Sequence, residues 1–254
     1  MERAAILSDV HANLEALEAV LRDIESRRVK KVYCLGDLIG YGPSPNEVIE
    51  VAMRRFELVI LGNHDEAVSH KIPKRFKRLA ARAAFWTRQQ IKPRKVPGYR
   101  ERRKRWGYVK RFPRLASVGP WLLGHGSVHS NLEYVHEPED AHGVFEAMDE
   151  SRLCFLGHTH VPGIFLEAED GGVHLVEPED GKRYTISDAR RAVINVGSVG
   201  QPRDGDPRAC WVLAREDGSF SFRRVPYDID GCAERIYKAR GLPTSLAERL
   251  YAGE

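Results

Sequence analysis

Five short segments of this 254-residue chain hold the residue types that bind cations: Asp9-Val10-His11, Gly36-Asp37, Gly62-Asn63-His64-Asp65, Gly124-His125 and Gly157-His158-Thr159-His160. Imidazole and carboxylate donors in one set suit manganese, iron, zinc or nickel better than magnesium or calcium, which favour all-oxygen shells. Two such cations ~3.5–4 Å apart can clamp a phosphate and share a hydroxide. Bound water becomes acidic enough to be hydroxide near neutral pH, so no protein nucleophile is required. Each segment alone says little. A single His after a strand is more often a packed or surface histidine, Gly-Asp is a common turn, and Asn63 could simply hold an unusual backbone angle. Five such segments in one chain are hard to produce by packing alone.

The elements around these segments predict how they meet. Ala4-Ala5-Ile6-Leu7 reads as a buried strand ending at Ser8-Asp9. The helix after it carries Leu14, Leu17, Val20, Leu21 and Ile24 on one face. Val32 to Leu35 is a strand that delivers Gly36-Asp37. The next helix begins with Ser44 as cap, Pro45 at its first position and Glu47 completing a capping box. Leu58 to Leu61 delivers Gly62-Asn63, Val118 to Leu123 delivers Gly124-His125, and Leu153 to Leu156 delivers Gly157-His158. Helices are expected at about 76–91 and 138–148.

Strands alternating with helices imply βαβ units and a largely parallel central sheet, with ligand sites at the carboxyl ends of its strands. In an extended segment residues i and i+2 point the same way, so Asp9 with His11, and His158 with His160, can each reach one site. From Gly163 the pattern changes to short strands with Gly-rich turns, an antiparallel half. Two helices close the chain, at about 228–252. The fold class is α/β, and residues 1–254 read as a single domain.

Composition narrows the class. Apolar residues at 42% and charged residues at 30% are ordinary for a soluble globular protein. Cys34, Cys154, Cys210 and Cys232 are scattered, which reads as reduced packing cysteine and not as a disulfide framework. No apolar run approaches the ~20 residues that span a bilayer, and the early first strand leaves no room for a cleaved leader, so a cytoplasmic protein is expected. The net charge of +4 hides an asymmetry: Lys74 to Arg114 holds seventeen Lys and Arg against the single acid Glu101, leaving −12 for the remainder. Such a run is usually a solvated face. It follows Gly62-Asn63-His64-Asp65 directly, so a basic helical cap inserted at about 66–115 is expected beside the site. Arg102, Arg103, Lys104 and Arg105 would gather phosphates there, with Phe76, Phe85, Trp86, Tyr99, Trp106 and Tyr108 offering rings to bases.

The ordered set of segments resembles the calcineurin-like metallophosphoesterases, whose pattern is Asp-x-His, Gly-Asp-x-x-Gly, Gly-Asn-His-Asp/Glu, Gly-His and Gly-His-x-His; Gly40 completes the second element here. The resemblance implies a four-layer αββα sandwich. It implies one cation held by Asp9, His11, Asp37 and His160 and another by Asp37, Asn63, His125 and His158, with manganese first and iron, zinc, nickel or cobalt as alternatives. His64 would stabilise charge or protonate the leaving group, with Asp65 orienting its imidazole, while a metal-bound hydroxide attacks in line. The run Gly197-Ser198-Val199-Gly200-Gln201-Pro202-Arg203-Asp204-Gly205-Asp206 resembles a bacterial subgroup grouped with diadenosine tetraphosphatases. That points to nucleotides or dinucleoside polyphosphates as substrates. Phosphomonoesters, including phosphoprotein side chains, are the second reading, and nucleic-acid binding or cleavage the third.

Overall fold

The computed structural model describes residues 3–74, 76–95, 97–148, 151–186 and 190–254; Arg75 of the basic run lies outside them. Among the described residues the strands form two six-stranded sheets. The first runs β3 (Leu58–Val59), β2 (Lys31–Cys34), β1 (Arg3–Leu7), β11 (Ala209–Arg215), β12 (Phe220–Val225) and β9 (Arg183–Tyr184). The second runs β4 (Ala116–Val118), β5 (Trp121–Leu123), β6 (Leu153–Leu156), β10 (Arg191–Asn195), β7 (Gly163–Glu167) and β8 (Val173–Val176). Helices α1 (Leu14–Ser26) and α2 (Pro45–Arg55) cover the first sheet, and α6 (Pro138–Glu146) covers the second.

Period-two alternation builds the layers. Ala4 and Ile6 of β1 face the second sheet, among Tyr33, Phe155, Ile194 and Val212. Ala5 and Leu7 face the opposite way, against Leu17, Val20 and Ile24 of α1 and Val48 of α2. On the far side Cys154 and Phe165 meet Val144 and Phe145 of α6. Both faces of each sheet are therefore buried, which is why the strands read as continuous apolar runs. This is the αββα sandwich. Phe155 sits at its centre, fully buried and edge-on to Trp121 and Phe220 at centroid distances of 6.2 and 6.4 Å. Phe155→Ala should cost about 3–5 kcal/mol of stability in urea unfolding; a loss below about 1 kcal/mol would contradict this packing.

Several local expectations change. The strands after Gly163 do not form a separate antiparallel half: they divide between the sheets, and β10 runs parallel to β6. The strand expected over Val118 to Leu123 is a hairpin of β4 and β5. Ser44 precedes α2, but its side chain makes no capping bond, and Pro45 alone marks the start. The basic run folds into α4 (Arg78–Ile91) and α5 (Tyr99–Val109), following α3 (Asn63–Ser69). α7 (Ile229–Lys238) and α8 (Ser245–Ala252) pack with α4 around Tyr41, Ala83, Ile236 and Leu250. Among the described residues no helix is long and apolar enough to cross a membrane.

Candidate metal centre

The ends of β1, β2 and β3 in one sheet and of β5 and β6 in the other meet at one edge of the sandwich. Two buried groups form there, Asp9 with His11 and His160, and Asp37 with His125 and His158; within each, the donor atoms lie within 4.8 Å of one another. His160 Nε2 stands 3.2 Å from Asp9 Oδ1 and 3.1 Å from His11 Nε2. Asn63 Oδ1 is 3.0 Å from His125 Nε2 and so joins the second group. Asp37 faces both groups: one carboxylate oxygen is 3.6 Å from His11 Nε2 and the other 3.5 Å from His125 Nε2.

The backbone that aims these side chains is not extended. Asp9, His11, Asp37, His158 and His160 have φ of 53°, 49°, 48°, 67° and 64°, left-handed conformations that cost non-glycine residues of order 1–3 kcal/mol each and cluster at functional sites. The i, i+2 argument fails for His158 and His160 for this reason, and they fall into different groups. Gly62 must lack a side chain, since a Cβ there would lie 2.1 Å from Asp37 N and Oδ1. The turns are tied together by backbone bonds, Asp9 N–H to Gly36 O at 3.0 Å and His11 N–H to Asp37 O at 2.9 Å.

The donors fit cations. Asp9 Oδ1, His11 Nδ1 and both nitrogens of His158 are buried without a hydrogen-bond partner, an arrangement that otherwise costs about 1–3 kcal/mol per group. His125 donates Nδ1–H to Leu35 O at 2.8 Å, and His160 donates Nδ1–H to Gln201 O at 2.5 Å. Both bonds turn the Nε2 lone pair inward, as ligating imidazoles require.

Electrostatics agrees. Burial alone would raise the Asp37 pKa, yet the neighbouring imidazoles of His125 and His64 hold it well below the usual carboxylate range. Burial lowers His158 to about 3, whereas His125, which burial would also lower, is raised to about 9 by the charge of Asp37. Below pH 9 a cation must therefore displace a proton from His125. Acidification favours the proton, so uptake at this group should weaken by up to about tenfold per pH unit on going down from pH 9. Calorimetry in two buffers of different ionisation enthalpy should detect proton release at pH 7. Uptake independent of pH between 6 and 9 would contradict it.

His64 stands at the start of α3, beside the ligands and not in a free turn. Its Nδ1 is buried and unpartnered, and burial lowers its pKa to about 4. Asp65 does not orient it. As the third residue of α3, Asp65 turns back and accepts from the N–H groups of Leu38, Ile39 and Gly62 at 3.3, 3.1 and 3.2 Å. Its carboxylate thus fixes the loop that carries Asp37, and burial, aided by Asp37, raises its pKa to about 8.

A cavity of about 420 Å³ opens beside the groups, bordered by Asn63, His64 and His158 and by Tyr41, Phe76, Lys77, Tyr134, Arg203 and Arg249. Arg102, Arg103, Lys104 and Arg105 do not border it. Arg105 pairs with Glu50 on α2, Arg102 donates to Gln90 O, and Trp106 and Tyr108 pack on the first-sheet core. Those ring contacts hold α5 against α2, and its free cations face solvent. Among the described residues of the basic run, Phe76, Lys77 and Ala80 at the start of α4 reach the cavity, and Lys77 is their one cation. Replacing Arg102, Arg103, Lys104 and Arg105 by Ser should change KM for p-nitrophenyl phosphate and for a dinucleoside polyphosphate equally, within about twofold, since screening weakens remote charges. A rise confined to the polyphosphate would return α5 to the site.

Residues 3–218 match the family described as the calcineurin-like phosphoesterase superfamily domain. An uncharacterised protein of Methanocaldococcus jannaschii is 37% identical over 258 residues, covering 98% of this chain and 97% of that protein. The crystal structure of a metallophosphoesterase from Sphaerobacter thermophilus matches with a TM-score of 0.85 at 38% identity, over 100% of this chain and 99% of that one. A hypothetical protein from Pyrococcus horikoshii matches in fold, with a TM-score of 0.76 at 20% identity over 100% and 99% of the two chains.

Proposed function

The chain belongs to the calcineurin-like phosphoesterase superfamily, and from that premise we propose that it hydrolyses nucleotides or dinucleoside polyphosphates at a centre of two divalent cations. Asp9, His11, Asp37 and His160 would hold one cation, and Asp37, Asn63, His125 and His158 the other, manganese before iron, zinc, nickel or cobalt. The observation that carries this reading is the pair of buried donor groups sharing Asp37 between them, beside an open cavity.

Bound there, such cations supply Lewis acidity and lower the pKa of water. The chain's own groups do the remainder. His64 borders the cavity, where its imidazole would hydrogen-bond a phosphoryl or leaving-group oxygen. Asp65 keeps the Asp37 loop in place. Phe76 and Tyr134 border the cavity as apolar walls suited to a base, and Tyr134 stacks on His158 at a centroid distance of 4.1 Å.

A panel of phosphate monoesters, diesters, nucleotides and dinucleoside polyphosphates, each assayed with Mn, Co, Ni, Zn and Mg and with products identified, tests the reading. Hydrolysis fastest on nucleotide anhydrides with a transition metal is expected. Preference for simple monoesters would move the assignment to a phosphomonoesterase. No turnover of any compound with any cation would end it.

A further inference from the structure

The cavity carries more positive charge than its donor groups explain. Among the described residues Lys77, Arg203 and Arg249 border it, with Glu254 as the one acid. Arg203 and Arg249 are half-buried, and among the described residues neither forms an ion pair. Some half-buried arginines of this chain find carboxylates, as Arg191 with Glu167, Arg27 with Asp23 and Arg224 with Asp204, whereas among the described residues Arg88, Arg102 and Arg215 form no ion pair. Arg203 and Arg249 differ from those three in bordering the cavity beside the donor groups, where an anion from outside the chain would meet both guanidinium groups.

The Arg203 side chain is held in place. The Arg203 N–H donates to His160 O at 3.3 Å, which ties it to the first donor group, and its guanidinium donates to Gln201 Oε1 at 3.1 Å. Its Nε is buried without an acceptor. The guanidinium carbon lies 5.9 Å from the centre of the Tyr41 ring. That ring packs against His11 and His64 at 4.7 and 4.4 Å, so Tyr41 sets the arginine beside the cation groups. Arg249 arrives from α8, an element distant in sequence and packed on the same side.

Resting on the phosphoesterase reading above, we propose that Arg203 and Arg249 form a second phosphate subsite beside the cation pair. The preferred substrates then carry a further phosphoryl group joined to the one attacked. A planar guanidinium offers two parallel N–H donors to such a group, stronger and more directional than a lysine ammonium. Tyr41 is the positioning residue of this subsite.

The test uses manganese-loaded protein in buffer with manganese in excess. Binding of tripolyphosphate and of orthophosphate is measured by calorimetry for the unaltered chain, R203Q, R249Q and the double variant, with bound metal quantified in each. Tripolyphosphate should bind at least about tenfold more tightly than orthophosphate, and the double variant should lose most of that preference while keeping its metal. In hydrolysis, the ratio of kcat/KM for a nucleoside triphosphate to that for p-nitrophenyl phosphate should fall about tenfold or more. Arg203→Lys should recover only part of it. Equal binding of the two anions, or a preference untouched by the double variant, overturns the subsite. If nothing is hydrolysed but tripolyphosphate binding still depends on both arginines, the subsite stands and the reaction assigned to the centre fails. Turnover with a ratio unchanged in the double variant keeps the reaction and removes the subsite.

Discussion

Asp37→Ala should strip both cations from the protein, taking metal content from two per chain to near zero and abolishing turnover. The carboxylate has one oxygen 3.6 Å from His11 and the other 3.5 Å from His125, so each donor group loses an anionic member when it goes. The change also removes the acceptor for the His64 N–H, which bonds Asp37 Oδ1 at 2.8 Å. Asn63 contacts only the second group, through His125. Asn63→Ala should therefore retain one tightly held cation. Elemental analysis of the purified variants decides the matter, with circular dichroism to show that each is folded. Asp37→Asn, which keeps the shape and the acceptor but loses the charge, separates misfolding from lost ligation. Full metal content in both Asp37 variants would be incompatible with a shared ligand.

His64→Ala should behave differently, lowering kcat by about 10²–10⁴-fold while metal content stays at the level of the unaltered chain. The imidazole is buried, borders the cavity and lies 5.0 Å from the His11 ring and 5.1 Å from Phe76. With its pKa at about 4 it is neutral at pH 7 in the free protein. A phosphate dianion in the cavity would draw its pKa upward, as an opposite charge does. If His64 then protonates the leaving group, the loss should be small for p-nitrophenolate and largest for alkoxides, and the rate should fall as pH rises through the elevated pKa. An equal loss for every leaving group, with metal retained, would make it a hydrogen-bond donor to the phosphoryl oxygens instead. Loss of metal in this variant would refute its placement outside the ligand set.

The donor groups are legible in the sequence because each sits one or two residues past an apolar run, where a strand ends and its side chains leave the sheet. Such a signal is local. Gly62 and Asn63 announce a turn whichever way the rest of the chain packs. The identity of the cavity's cations is not local. A net charge of +16 over Lys74 to Arg114 says nothing about which way a helix turns, and the burial of Trp106 and Tyr108 decides that α5 lies on α2. Arg203 lies in the Gly197 to Asp206 run but carries no sign there of a partner cation, Arg249 stands among ordinary neighbours, and α8 returning to Tyr41 brings them together. Asp65 departs from expectation for a related reason. Its adjacency to His64 suggests a partner, whereas the first turn of α3 points its carboxylate at backbone N–H groups.

The order of strands in the first sheet bears on how the protein is made. β1 lies between β2 and β11, paired through Ala5 with Val32 on one side and with Leu213 on the other. β1 thus waits for some two hundred residues of synthesis before its second neighbour exists. At about 5–20 residues per second that interval lasts roughly 10–40 s, during which one edge of a strand that is apolar from Ala4 to Leu7 has no partner. His160 likewise arrives long after Asp9, so cations cannot protect the nascent half-sheet. Nascent chains halted before Ala209 should therefore be held by chaperones or degraded, and synthesis onward through β11, β12 and α8 should bring folding and cation uptake together.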